Sequence, residues 1–92
     1  MVAAFVLIAA EPARVADLAA ELADVPGVAE VYSVTGDADL VAIVRVLQHD
    51  LLADVVTRCI APLPGIRHTR TMIAFRAYSR HDLDAIFGVG VD

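Results

Sequence analysis

The chain has 92 residues, of which 59% are hydrophobic, and a formal net charge of −5 at pH 7. This length supports one domain, and the acidic balance argues against direct binding of nucleic acid, which requires a basic face. The hydrophobic fraction exceeds the roughly 45–50% of ordinary globular domains, so we expect further copies of the chain to cover part of the apolar surface.

The first part of the chain predicts a strand, a helix and a second strand. Residues 2–10 are an unbroken apolar run, which favours a strand buried on both faces and is too short to cross a membrane. Over residues 14–25 apolar and charged positions follow a helical period, and Pro26 and Gly27 end that helix. Residues 28–35 are rich in types that favour strands.

The second part predicts a turn, a strand, a helix and a final strand. Residues 36–39 form the turn, and residues 40–47 form a third strand that is again nearly all apolar. Asp50 is a suitable N-cap for the second helix, which the Pro-Leu-Pro-Gly run at residues 62–65 terminates. Residues 66–75 alternate as a fourth strand.

The predicted second helix carries the single cysteine of the chain. Cys59 falls on the apolar stripe with Leu52 and Ile60, so we expect it to be a small core residue. One cysteine excludes an internal disulfide and fits a reducing, cytoplasmic location. Asp54 and Arg58 are four residues apart on the polar side of this helix, where we expect them to pair.

The element order is β-α-β-β-α-β, which is the split-βαβ pattern of an α+β, ferredoxin-like fold. Right-handed crossovers place both helices on one face of a four-stranded antiparallel sheet and leave the other face bare. Because the strands are apolar on both faces, a partner must cover the bare face. We therefore expect a homodimer in which two sheets pack against each other.

The turn between the second and third strands is the densest polar spot in this apolar region. Asp37 and Asp39 stand beside Gly36, whose backbone a ligand can approach closely. The two carboxylates could bind the ammonium of a small zwitterion, and nearby backbone N–H groups could bind its carboxylate. The alternative is an ordinary hairpin turn whose aspartates cap their own backbone.

This order of motifs resembles the effector-binding domain of the Lrp/AsnC family of feast/famine transcription regulators, called the RAM domain (regulation of amino-acid metabolism). In that family a strand ends in Gly and is followed by Asp-x-Asp and an aliphatic strand. Later, a Pro-Gly-aliphatic turn opens a strand with a Thr-x-Thr pair. The positions that carry this pattern are Gly36, Asp37, Asp39, Pro64, Gly65, Ile66, Thr69 and Thr71.

The resemblance covers almost the whole chain. It implies one RAM-type domain over residues 1–87. From the residues themselves we expect a short helix over residues 79–87 and a frayed tail over residues 88–92. Family members usually carry an N-terminal helix-turn-helix domain, whereas the first strand here begins beside Met1 and no recognition helix fits the sequence. We therefore expect a stand-alone domain. Ala38 is a second departure, because many relatives have a larger residue between the two acids.

The resemblance also implies a function and a site. The effector, an amino acid or similar small metabolite, would lie where the loop meets a neighbouring dimer within a ring of dimers. Asp39 is the first choice for contacting the ligand ammonium, and Asp37 is the second. The output would pass through partner proteins, such as full-length Lrp/AsnC regulators. The expected effector-binding residues are Thr35, Gly36, Asp37, Ala38, Asp39 and Leu40, with Thr69 and Thr71 on the opposing wall.

Two other functions stay open. A dimeric α+β-barrel enzyme, such as a small monooxygenase or isomerase, shares this topology and also packs sheet against sheet. Such an enzyme needs a polar cavity, and the strands offer little beyond Tyr32, Ser33 and Arg45. We therefore expect a protein that is not an enzyme. The remaining alternative is a purely structural assembly module.

Histidines and arginines give no further site. His49, His68 and His81 lie on different predicted elements with no metal-ligand spacing, so we expect no metal and no cofactor. A basic cluster occurs late in the chain, and we expect it to pair with acidic helices of neighbouring copies. Its members are Arg67, Arg70, Arg76 and Arg80.

Overall fold

The computed structural model describes residues 1–78 and Arg80, and it has the predicted β-α-β-β-α-β order. The α+β, ferredoxin-like fold is confirmed. A 3₁₀ turn over Pro12–Arg14 precedes the first helix, and a π-helical segment over Val55–Ile60 continues the second. The strands are β1 (Val2–Ala10), β2 (Val28–Ser33), β3 (Leu40–Val46) and β4 (Ile66–Ile73), and the helices are α1 (Val15–Ala23) and α2 (His49–Asp54).

The four strands form one antiparallel sheet in the order β2-β3-β1-β4. β1 is central, so that Val6 lies opposite Ala42 of β3 on one side and Thr71 of β4 on the other. β2 and β4 are therefore the two edges of the sheet in the part of the chain that the structure describes. The loop between β2 and β3 leaves the sheet at the end where β1 finishes.

One face of the sheet packs against both helices. Ala4, Val6 and Ile8 point to this face and are fully buried, in one core cluster with Leu18 of α1 and Leu52 of α2. The alternate residues of β1 point to the other face, because strand side chains alternate. No other part of residues 1–78 covers that second face.

We call this second face the open face. It presents Phe5 and Leu7 of β1, Ile43 of β3 and Met72 of β4, of which Phe5 is 39% and Met72 53% exposed. β1 and most of β3 are thus apolar on both faces, as predicted, whereas β2 and β4 place Glu30 and Arg70 on the open face. Residues 1–78 cover only the helix-facing side of the sheet. That a second copy covers the open face stays a prediction.

The helix ends differ from the predicted ones. α1 is shorter than residues 14–25, because the chain enters it through the 3₁₀ turn and leaves it at Asp24. The prediction of Asp50 as N-cap was wrong, since α2 begins at His49 and Gln48 occupies the cap position without a side-chain bond. Asp50 lies in the first turn instead, where a negative charge favours the helix macrodipole.

Cys59 is exposed, so its predicted core position was wrong. The reason is the π-helical segment, in which residues five apart rather than four apart share a face. Val55 and Ile60 are five apart and both are buried, which rotates Cys59 out to the surface. The ion pair between Arg58 and Asp54 is confirmed, with Nε and Oδ1 3.7 Å apart. The predicted tail segments 79–87 and 88–92 lie outside the described residues, apart from Arg80.

Candidate functional site

The loop between β2 and β3 projects beyond the end of the sheet. Gly36 at its tip has a φ of +107°, a conformation that L side chains rarely adopt. Apart from Gly36 itself and its two chain neighbours, no heavy atom of the described residues lies within 4 Å of the position that a Cβ would take at Gly36. The backbone at the tip is therefore open to an approaching molecule.

Asp39 anchors this loop to the end of β1. Its Oδ2 accepts a hydrogen bond of 2.8 Å from the backbone N–H of Ala10, and its own N–H donates to the carbonyl of Ile8 at 2.9 Å. The N–H of Val34 in turn donates to the carbonyl of Asp39 at 3.0 Å. The predicted alternative was an aspartate that caps its own turn, whereas Asp39 holds a different strand. Its second carboxylate oxygen has no partner among the described residues.

Asp37 differs from Asp39 in having no hydrogen bond or ion pair with the described residues. It is exposed at the loop tip, as is Thr35. Ala38 is nearly buried, at 9% exposed, and Leu40 is fully buried in the core. The side chain of Leu40 therefore belongs to the core. The groups that can meet a ligand are the Asp37 carboxylate, the free oxygen of Asp39, the Thr35 hydroxyl and the backbone.

Thr69 and Thr71 do not come close to this loop within one chain. Leu40, Ile8 and Thr69 lie in one row across β3, β1 and β4, so Leu40 and Thr69 are two strand spacings, or roughly 10 Å, apart. Thr71 lies further along β4. Both threonines share the helix-facing side of the sheet with the buried residues of β1.

Thr71 lines a groove of about 240 Å³ between α2 and β4. The groove walls are mostly apolar and include Leu52, Val56 and Ile73, while His49 stands at one end. The sequence placed Leu52 on the apolar stripe of the second helix but did not reveal this groove. A gap between two packed elements leaves no trace in hydrophobic periodicity.

The open face carries a polar network that the sequence did not predict. The Tyr32 hydroxyl donates a hydrogen bond to Glu30, and Arg45 donates a longer one to the other oxygen of the same carboxylate, at 3.4 Å. The hydrogen bond from Tyr32 is the main cause that lowers the pKa of Glu30, and the same bond raises the pKa of Tyr32. A bulge between Val28 and Glu30 places Glu30 and Tyr32 on this face.

The described residues contain no group of three or more His, Cys, Asp or Glu side chains that could hold a metal ion. His49 and His68 are both exposed and lie on α2 and β4. Among these residues there is also no helix with the length and hydrophobicity needed to span a bilayer. The chemistry available at the loop is therefore that of carboxylates, a hydroxyl and backbone amides.

The family model described as the Lrp/AsnC ligand binding domain matches residues 3–83 of the chain. Among curated proteins, the HTH-type transcriptional regulator FL11 from Pyrococcus horikoshii is 32% identical over 75 residues. The matched region is 82% of this chain and 49% of that regulator. The chain thus spans about half the length of the curated relatives it matches.

Solved structures of similar sequence also match most of the chain. TTHA0845 from Thermus thermophilus is 52% identical with a TM-score of 0.82, over 87% of this chain and 100% of that one. A feast or famine regulatory protein from M. tuberculosis, in complex with L-methionine, is 32% identical with a TM-score of 0.72. The match covers 87% of this chain and 54% of the M. tuberculosis protein.

Proposed function

Because the chain belongs to the Lrp/AsnC ligand-binding domain family, a family of transcription regulators rather than enzymes, we propose that it binds a free amino acid or similar small metabolite. The observation that carries this proposal is the loop between β2 and β3. Asp37 has no partner among the described residues, Asp39 is held in place by Ala10, and the backbone at Gly36 is open. These groups lie within four consecutive residues, 36–39, of one loop.

The chemistry of the loop suits a zwitterion. A carboxylate and an ammonium form a charge-assisted hydrogen bond, which is stronger than a neutral one. Asp39 is positioned in advance, since its bond to Ala10 fixes the carboxylate and leaves one oxygen for the ligand. Asp37 supplies the second carboxylate, and the backbone beside Gly36 supplies N–H donors for the ligand carboxylate. Thr35, Ala38 and Leu40 complete the loop, with Leu40 contributing through its backbone.

The amino-acid class is supported by the M. tuberculosis relative, which was solved with L-methionine. Thr69 and Thr71 remain our candidates for an opposing wall. Because they lie roughly two strand spacings or more from the loop in one chain, we propose that a neighbouring copy contributes them. This arrangement requires an assembly larger than a dimer, such as a ring of dimers.

The dimer itself is proposed from the open face. Phe5, Leu7, Ile43 and Met72 form a contiguous apolar centre, in which a monomer would leave Phe5 39% and Met72 53% exposed to water. An identical sheet packed against this centre would bury it on both copies, at a sheet separation of about 10 Å. The Glu30, Tyr32 and Arg45 side chains would then lie beside the apolar contact.

We further propose that the output passes through other proteins in the cytoplasm, including full-length regulators of the same family. The curated relatives are HTH-type regulators about twice as long as the matched region. In contrast, the matched region is 100% of the Thermus thermophilus chain that was solved. Mixed assemblies with longer regulators would carry the effector signal to DNA.

A thermal unfolding screen against the twenty amino acids tests the ligand proposal. A ligand present at about 100 times its dissociation constant adds about 2.7 kcal/mol of stability, which is a shift of several degrees for a domain of this size. We expect one or a few amino acids to raise the midpoint. If none does while sedimentation shows a large assembly, the chain is a structural module and the sensor proposal is wrong.

A further inference from the structure

The structure assigns a second interaction surface, separate from the loop, to the outer edge of β4. We propose that this edge, together with the groove beside α2, binds an extended segment of a partner protein. In that segment acidic and aliphatic residues alternate. The segment would add to the sheet as a fifth strand. This surface shares Thr69 and Thr71 with the opposing wall proposed for the effector, but the inference rests on the edge and the groove and not on the loop.

The register of β4 leaves one set of backbone groups unpaired. The N–H of Ala74 donates to the carbonyl of Ala3 at 2.8 Å, and hydrogen-bonded pairs alternate along an antiparallel ladder. Met72–Phe5 and Arg70–Leu7 are therefore hydrogen-bonded pairs, in which the N–H and C=O groups of Met72 and Arg70 bond to β1. The N–H and C=O groups of Thr69, Thr71 and Ile73 point away from β1, and no strand among residues 1–78 pairs with them. Within the described part of the chain these groups are unpaired, so an added strand could bond to them.

The two edges of the sheet differ in how well they could accept a strand. β2 has six residues, and its pairing with β3 is interrupted by a bulge between Val28 and Glu30. Such bulges protect an edge against further pairing. β4 has eight residues, and its register with β1 is regular from Ile73 to His68. β4 is therefore the edge with a long, regular row of free groups.

The charged residues of β4 indicate which side chains the partner segment has on the side of the open face. Arg70 lies opposite Leu7 and His68 opposite Ala9, so both side chains point to the open face. Among the described residues, Arg70 forms no ion pair, although the whole chain carries a net charge of −5. An added strand would place every second side chain beside Arg70 and His68, where carboxylates are favoured.

The groove indicates which side chains the partner segment has on the side that faces α2. The remaining side chains of an added strand would point toward α2 and meet Leu52, Val56 and Ile73. Ile73 is 52% exposed, so an aliphatic side chain placed there would remove apolar surface from water. The two sides of β4 thus specify one pattern, with acidic residues toward the open face and aliphatic residues toward the groove.

The test uses the full chain and a blocked heptapeptide of alternating Asp and Val with a fluorescent label, measured by anisotropy. We expect saturable binding that weakens with salt and is lost when Lys replaces Asp in the peptide. N-methylation of one alternate set of peptide nitrogens should weaken binding at least tenfold, and N-methylation of the other set should leave it nearly unchanged. Equal effects of the two sets, or no binding, would overturn the proposal.

Matched variants separate this edge from the rest of the surface. Arg70→Gln should weaken peptide binding at least fivefold, whereas Arg58→Gln on the helix layer should not, and circular dichroism checks that both fold. The chain's own Asp82-Leu83-Asp84 has the same alternation. If the peptide binds only after Asp82→Lys and Asp84→Lys are introduced together, the chain's own tail is the occupant, and the proposal of a separate partner is wrong.

Discussion

The Asp39 carboxylate and the backbone N–H of Ala10 form a hydrogen bond of 2.8 Å that joins the loop to the last residue of β1. Asp39 therefore has a structural role whether or not a ligand is bound. The bond also explains how a short surface loop can hold one carboxylate in a fixed position. Any experiment on the loop must separate this anchoring from ligand contact.

Replacing Asp39 should destabilise the folded chain. Asp39→Ala removes a charge-assisted bond and leaves the N–H of Ala10 without its partner, so we expect a loss of about 1.5 kcal/mol in the free energy of unfolding. Asp37→Ala is the matched control and should change that free energy by no more than about 0.5 kcal/mol. Urea unfolding at neutral pH measures both. Equal losses in the two variants would show that the bond to Ala10 contributes nothing.

Two glycines with positive φ should respond differently to alanine. Gly65 has a φ of +94°, and a Cβ there would lie 2.7 Å from Cβ of Arg14. Gly36 has a φ of +107° but meets nothing within 4 Å. Gly36→Ala should therefore cost only the backbone strain, about 1–2 kcal/mol. Gly65→Ala should lower the free energy of unfolding by clearly more than Gly36→Ala does, because the turn before β4 must also move away from Arg14. Thermal or urea unfolding of the two variants tests the order.

The network on the open face should make stability depend on acid pH. The hydroxyl of Tyr32 lowers the pKa of Glu30 below its ordinary 4.5 in the folded state, with a smaller contribution from Arg45. The stability that this carboxylate contributes is present above the unfolded pKa and is lost as pH falls through the lowered folded pKa. Tyr32→Phe removes the main cause of the shift.

Wild type should therefore lose more stability than Tyr32→Phe as pH falls from neutral through the lowered pKa of Glu30. Urea midpoints at a fixed protein concentration measure this difference, since unfolding of an oligomer depends on concentration. Parallel curves for the two proteins would show that Tyr32 does not stabilise ionised Glu30.

A charge placed on the open face should prevent dimerisation. Phe5 is 39% exposed on that face, and Leu51 is 43% exposed on α2, so the two offer a matched pair. Phe5→Glu should give a monomer at concentrations where wild type sediments as a dimer or larger, because the apolar contact would have to bury a carboxylate. Leu51→Glu should leave the assembly of dimers intact. If the Phe5→Glu protein still dimerises, the dimer interface does not lie on the open face.

The fold was predictable from the sequence because each element has a simple signal. The apolar runs at β1 and β3 mark the centre of the sheet, and the paired Pro-Gly turns mark where helices give way to strands. Amphipathic periodicity identified the helices, and the preference for right-handed crossovers then placed both of them on one face of the sheet. Cys59 was misplaced because periodicity assumes 3.6 residues per turn, and the π-helical segment over Val55–Ile60 breaks that assumption.

The loop was predictable as a polar turn, but its internal organisation was not. Gly36 and the two aspartates indicate a tight turn with carboxylates, yet nothing in the sequence couples Asp39 to Ala10, which lies 29 positions away. The groove beside Thr71 and the Glu30–Tyr32–Arg45 network escaped prediction for the same reason. They depend on which side chains meet across elements.

The most direct test of the central claim is a calorimetric titration with the amino acid that gives the largest thermal shift. Wild type, Asp37→Asn, Asp39→Asn and the control Asp54→Asn would be compared well below their unfolding midpoints. We predict that both loop variants bind at least tenfold more weakly, while Asp54→Asn keeps the wild-type dissociation constant. Wild-type affinity in Asp37→Asn and Asp39→Asn would contradict the account and place the effector outside the loop.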